Sequence, residues 1–182
     1  RADAPGDIRL VVAEAQLLRD AGRHEDAFAF LAKVLEVQPD QTDLLYETAL
    51  AAEKLGLVDV MERHLRHMIA LKPDSAQAYN ALGFSLVERN VRLEEAAQLI
   101  DQALSLTPED PFILDSKGWL LFRQGNRGAA LEALQKAFAK KPGSIPCRSR
   151  SSSTALLGAR RAISQASLLL PAKPLLVTAL AV

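Results

Sequence analysis

The chain has 182 residues, of which 49% are hydrophobic, 24% charged and only 5% aromatic, the balance of a folded soluble protein of one compact domain or one short solenoid. Its net charge of zero joins two unlike parts: residues 1–142 hold all 22 acids against 17 bases, and residues 143–182 hold five bases and no acid. An acidic body argues against a nucleic-acid surface, the single Cys147 allows no internal disulfide, and no apolar run reaches the roughly 18–20 residues that span a bilayer.

Arg1 to Asp7 is a polar lead with no apolar leader segment. Asp7 then caps a helix carrying Ile8, Leu10, Val11, Leu17 and Leu18, which Gly22 ends. A second helix from about His24 buries Phe28, Leu31, Val34 and Leu35 until Pro39 stops it. Thr42 is the expected cap of a third, with Leu44, Leu45, Ala49 and Ala52, ended by Gly56. The fourth carries Val60, Leu65, Met68 and Ile69 up to Pro73. Asp74 or Ser75 caps the fifth, with Tyr79, Leu82, Leu86 and Val87, and Asn90 breaks it. The sixth carries Ala96, Leu99, Ile100, Ala103 and Leu104 up to Pro108. Asp110-Pro111 pairs a capping residue with proline at the first helical position. The seventh helix ends near Gly125, and the eighth, with Leu131, Leu134, Ala137 and Phe138, at Pro142.

The punctuation is periodic. Pro39, Pro73, Pro108 and Pro142 are spaced 34, 35 and 34, and Ala15, Ala49, Gly83 and Gly118 are spaced 34, 34 and 35. The extra residue falls in the turn Asn90-Val91-Arg92, where an insertion costs least. A unit of two helices at this length cannot bury its own apolar face and must stack on copies of itself. The expected fold is therefore all-α, a right-handed solenoid of about four helix-turn-helix repeats over residues 8–40, 41–74, 75–109 and 110–142.

This pattern resembles the tetratricopeptide repeat. The third copy carries it best, with Tyr79, Leu82-Gly83, Leu86, Ala96, Ile100, Ala103 and Pro108. The fourth gives Leu114, Gly118, Leu121, Ala130, Leu134, Ala137 and Pro142; the second gives Leu45, Ala49, Ala52, Met61, Leu65, Met68 and Pro73; the first gives Val11, Ala15, Leu18, Ala27, Leu31, Val34 and Pro39. Small residues at these places let helices approach and large ones fill the gaps. The runs ALGFSLVERN and DSKGWLLFRQG are also similar to long bacterial repeat proteins, including envelope lipoproteins that hold proteases or assembly factors. That likeness implies an interior segment of a longer array, on the periplasmic side and lipoprotein-anchored in the full-length protein.

The resemblance implies a protein-binding scaffold without catalysis, metal or cofactor, whose first helices line a concave groove for a protein or peptide. Carried over copy by copy, the groove positions are Arg9, Val12, Gln16 and Arg19; Asp43, Tyr46, Glu47, Leu50 and Glu53; Gln77, Asn80, Phe84 and Val87; and Phe112, Asp115, Trp119, Phe122 and Arg123. Family members that grip a terminal carboxylate use Lys, Asn and Arg where this chain has Val12, Tyr46, Asn80 and Asp115; only Asn80 could contribute, so that mode is rejected. Leu50, Phe84 and Trp119 instead share one position in successive repeats, an apolar stripe suited to an amphipathic helix or an extended apolar peptide. The competing reading packs the stripe between neighbouring first helices, or makes the whole a structural spacer within a longer array. The open ends of such an array also leave room for oligomerisation.

Other chemistry is thin. His64 and His67 lie one turn apart near Glu62, but no further ligand is spaced to complete a metal site. There is no phosphate loop and no nucleophile elbow. Beyond Pro142 the phase fails: a fifth copy would put Arg148 at the aromatic position and Pro171 inside a helix. Residues 154–170 fit an amphipathic helix that could cap the array, and the abrupt loss of acids and phase equally fits a tail that is not a natural continuation.

Overall fold

The computed structural model describes residues 7–140. The described residues form eight helices and no strand: α1 Ile8–Asp20, α2 His24–Val37, α3 Thr42–Lys54, α4 Val58–Leu71, α5 Ala76–Arg89, α6 Leu93–Leu106, α7 Pro111–Arg123 and α8 Arg127–Lys140. The expectations for residues 143–182 lie outside the described residues.

Caps and turns follow from the local sequence. The Asp7 carboxylate accepts from the Arg9 amide, Ser75 Oγ from Ala78, and Asp110 from Phe112 and Ile113 just beside Pro111. Thr42 is the first residue of α3 rather than its cap; Gln41 holds that place without a side-chain bond. Asp74 likewise leaves the cap of α5 to Ser75. Within three of the four hairpins the turn is a left-handed glycine, Gly22 at φ 76°, Gly56 at 72° and Gly125 at 84°. The third hairpin has no glycine there. Asn90 (φ 56°) and Arg92 (φ 48°) both take the left-handed conformation, so the inserted residue is accommodated by two strained positions.

Each first helix packs on its own second helix, and each second helix on the next first helix, which makes one continuous stack. Leu31 and Leu35 of α2 share a buried cluster with Leu44, Leu45 and Ala51 of α3, and Ala49 and Ala52 of α3 share another with Met61 and Leu65 of α4 and Leu82 of α5. Leu31, Leu44, Leu45, Leu65, Leu82, Leu86, Ile100 and Leu120 are fully buried, each worth about 1.5–3 kcal/mol of transfer free energy. The periodic small residues sit at the helix crossings. A Cβ added at Gly83 would lie 2.8 Å from Ile100 Cγ1 and 3.2 Å from Leu99 Cβ; one at Gly118 would lie 2.6 Å from Leu134 Cγ. Ala15 and Ala49 occupy the same register in the first two hairpins and are fully buried.

Ion pairs tie the second helices together outside the core. Glu62 of α4 accepts from Arg66 on its own helix and from Arg92 at 2.5 Å and 2.9 Å, while Glu95 of α6 pairs with both arginines. The Arg92 hydrogen bonds, assisted by Arg66, hold the Glu62 carboxyl well below its ordinary value, at about 2. The second strained residue of the third turn is thus also the one that links two repeats.

Candidate interaction groove

The first helices α1, α3, α5 and α7 present the expected groove positions, and the structure sorts them into two chemically different stretches. The first is polar. Arg9, Val12 and Gln16 of α1 and Tyr46 of α3 line a cleft of about 310 Å³, joined by Ile8, Ala13, Asp43, Glu47, Met68 and Gln77. Glu47, one of its lining residues, is held in an ion pair: Arg19 Nη2 lies 2.5 Å from Glu47 Oε2, and both side chains are largely withdrawn from solvent, at 15% and 9% exposure. Gln16 Nε2 donates to the other Glu47 oxygen at 3.5 Å. Glu47 is thereby held by two groups of α1 and cannot turn outward without stranding Arg19.

The second stretch, on α5 and α7, is apolar. Leu50, just behind it on α3, and Phe84 on α5 are half-buried. Trp119 is packed down to 4% exposure, its ring meeting Phe122 edge-on with centroids 5.8 Å apart at 81°. Phe112 is 47% exposed, Asp115 is half-buried, and Arg123 Nη2 reaches back to the Glu88 carbonyl at 3.2 Å, tying α7 to α5. Asn80 Oδ1 and Trp119 Nε1 are buried with no hydrogen-bond partner among the described residues. The equivalent residues Leu50, Phe84 and Trp119 therefore do not make a uniform stripe. Leu50 and Phe84 are half-buried, Trp119 stands mainly between helices, and the exposed phenylalanine near them is Phe112.

Two features of the cleft escaped the sequence. Met68 comes from the second helix α4 and was assigned to the core alone, although it also walls the cleft. The Arg19–Glu47 pair joins positions that are six residues out of register between repeats, so repeat alignment does not bring them together. Opposite charges on adjacent first helices were the available signal. His64 and His67 differ in their partners. Burial pushes the His64 imidazole below its ordinary value, with Arg63 and His67 adding to it, and His67 Nε2 lies 3.0 Å from Asp40 Oδ1 on the α2–α3 loop.

The geometry defines an α-solenoid of stacked helical hairpins with its first helices lining one face. The tetratricopeptide repeat family matches residues 12–60. Over 135 residues, 74% of this chain, it is 40% identical to the TPR repeat-containing protein PA4667 of Pseudomonas aeruginosa. A human protein O-mannosyl-transferase, TMTC1, is 26% identical over 122 residues, 67% of this chain. The chain spans 23% of the length of the first relative and 13% of the second. The crystal structure of PilW, a type IV pilus biogenesis factor, superposes with a TM-score of 0.69 at 24% identity, covering 75% of this chain and 64% of that one. The chain is a tetratricopeptide repeat protein. No helix among the described residues is long and apolar enough to cross a membrane.

Proposed function

We propose that this chain is a protein-interaction scaffold that holds a peptide or helix of a partner along its first-helix face. The observation that carries the reading is the convergence of α1 and α3 on one cleft, continued by the half-buried Phe84 of α5 and the exposed Phe112 of α7. A side chain entering the cleft meets Tyr46, Gln16 and Asp43 with Val12 and Met68 behind them, the mixture of an aromatic wall with a few placed polar groups that fixes peptide orientation. Phe84 and Phe112 then offer surface to an apolar side chain farther along. The ligand that suits both stretches is amphipathic along its length, polar or charged toward α1 and apolar toward α7. The array contributes shape and contact, and its repeats need supply no chemistry to the partner. The expectation of an envelope location belongs to the same proposal, and fractionation of the full-length protein tests it.

The test is quantitative recovery of partner proteins by the full chain and by Tyr46→Ala and Phe84→Ala, each first shown to keep its helix content and melting cooperativity. A loss of ten-fold or more in affinity for the same partner supports the groove. Unchanged recovery by both variants favours the alternative, a structural segment of a longer array without a site of its own.

A further inference from the structure

The junction between the second and third repeats is built unlike the other two. On the first-helix face α1 packs on α3 and α5 packs on α7, but no comparable packing joins α3 to α5. Polar bonds reinforce the same pairing: Arg19 of α1 reaches Glu47 of α3, and Arg123 of α7 donates to the Glu88 carbonyl of α5. The array is therefore two close-packed pairs of repeats, residues 8–71 and 76–140, that meet at a seam held mainly by α4 against α5.

On the second-helix side this seam is crossed by a closed ring of four charges. Glu62 of α4 pairs with Arg66, Arg66 with Glu95 of α6, Glu95 with Arg92, and Arg92 with Glu62 through two hydrogen bonds. The signs alternate, so each charge has an opposite neighbour on both sides. The ring belongs to this junction alone. The equivalent residues at the first junction are Phe28, Ala32, Leu57 and Val60, and at the third Ala97, Asp101, Asn126 and Ala129, and neither set can close one. Arg92 also stands in the turn with the added residue, left-handed at φ 48°, and its side chain gives α6 no cap. Exposed ion pairs contribute little where packing already fixes the geometry. At this seam the first helices leave the geometry open, and the ring closes it.

We propose that this junction is the hinge of the array and that the ring is its brace. The ring holds the two pairs of repeats at one bend, and its release lets them swing about the α4–α5 contact. The bend sets how α3 stands to α5, and with it the spacing between the two stretches of the first-helix face. The hinge follows from the frame and is independent of whether that face takes a partner.

Double electron–electron resonance on the full 182-residue chain tests it, in a Cys147→Ser background. Nitroxide labels are placed two at a time on Glu36, Ala70, Ser105 and Ala139, which are exposed and share one register on the four second helices. The 36/70 and 105/139 distances report the two pairs of repeats, and 70/105 reports the hinge. At low salt all three distributions should be narrow. Replacing both acids, Glu62→Gln with Glu95→Gln, should broaden 70/105 and leave the outer two unchanged, with circular dichroism verifying the fold. Salt at about 1 M, where the screening length falls to about 3 Å, should broaden 70/105 in the wild type and add nothing in the double variant. The salt arm needs no substitution, so it answers even if the double variant fails to fold. A 70/105 distribution that stays as narrow as the outer two under both treatments overturns the hinge. One that is already broad in the wild type at low salt overturns the brace. Equal broadening of all three distributions also overturns the proposal, by making the ring a general stabiliser of the stack.

Discussion

The first two repeats and the last two solve the same packing problem with different residues. At the hairpin crossing repeats one and two carry Ala15 and Ala49, while repeats three and four carry Gly83 and Gly118, where a methyl group would collide with the facing helix. At these two crossings the facing side chains leave no room for a methyl group. On the first-helix face the earlier pair builds a cleft of mixed polarity whose Glu47 is paired with Arg19, and the later pair offers phenylalanines. A periodic scaffold thus keeps its register while its surface chemistry changes along its length.

The largest expected effect tests the crossings. Gly83→Val drives three carbons, branched at Cβ, against the fully buried Ile100 and should cost about 3 kcal/mol in urea unfolding. Gly118→Val should cost less, because the half-buried Leu134 can move aside. The reverse change, Ala49→Gly, removes a methyl without collision and should cost about 1 kcal/mol through helix propensity. Equal losses at all three sites would contradict the difference between the halves.

Next comes the Arg19–Glu47 ion pair. Arg19→Ala leaves the Glu47 carboxylate largely withdrawn from water with Gln16 as its remaining polar contact. The expected cost is about 2 kcal/mol, below that of a fully buried pair because Arg19 keeps some exposure. Glu47→Gln in the Arg19→Ala background should recover part of that loss, and a double-mutant cycle measures the coupling.

The smallest effects lie at the glycine-free third turn. Asn90→Gly removes the Cβ from a left-handed position and should stabilise by about 0.5 kcal/mol. Glu62→Gln should destabilise by about 1 kcal/mol near neutral pH. Its pH dependence has a definite sign. The folded carboxyl titrates at about 2 against an ordinary 4.5, so its contribution is complete above pH 4.5 and fades as pH falls toward 2. Acid titration of stability should therefore converge for wild type and Glu62→Gln at the low end of that window.

Much of this architecture was legible because its causes are local and repeated. Proline and glycine spacing marked the helix ends, and alternating small and large residues marked the crossings, so the eight helices follow from the sequence. Thr42 misled as a cap because a good capping side chain one residue inside the helix looks the same in sequence. The candidate site was less legible. Repeat alignment put Leu50, Phe84 and Trp119 on equal footing, yet the bulk of Trp119 and its contact with Phe122 carry it into the space between helices. Alignment also cannot pair residues that are out of register, and Arg19–Glu47 is such a pair.

The central claim is that the first-helix face is the working surface, and site-specific photo-crosslinking tests it most directly. A benzophenone side chain is placed at Tyr46, at Phe84, or at exposed Gln98 on the second helix α6, in the full-length protein in its native cells. The account predicts that Tyr46 and Phe84 capture the same partner and that Gln98 does not. Capture from Gln98 with none from the other two would contradict it.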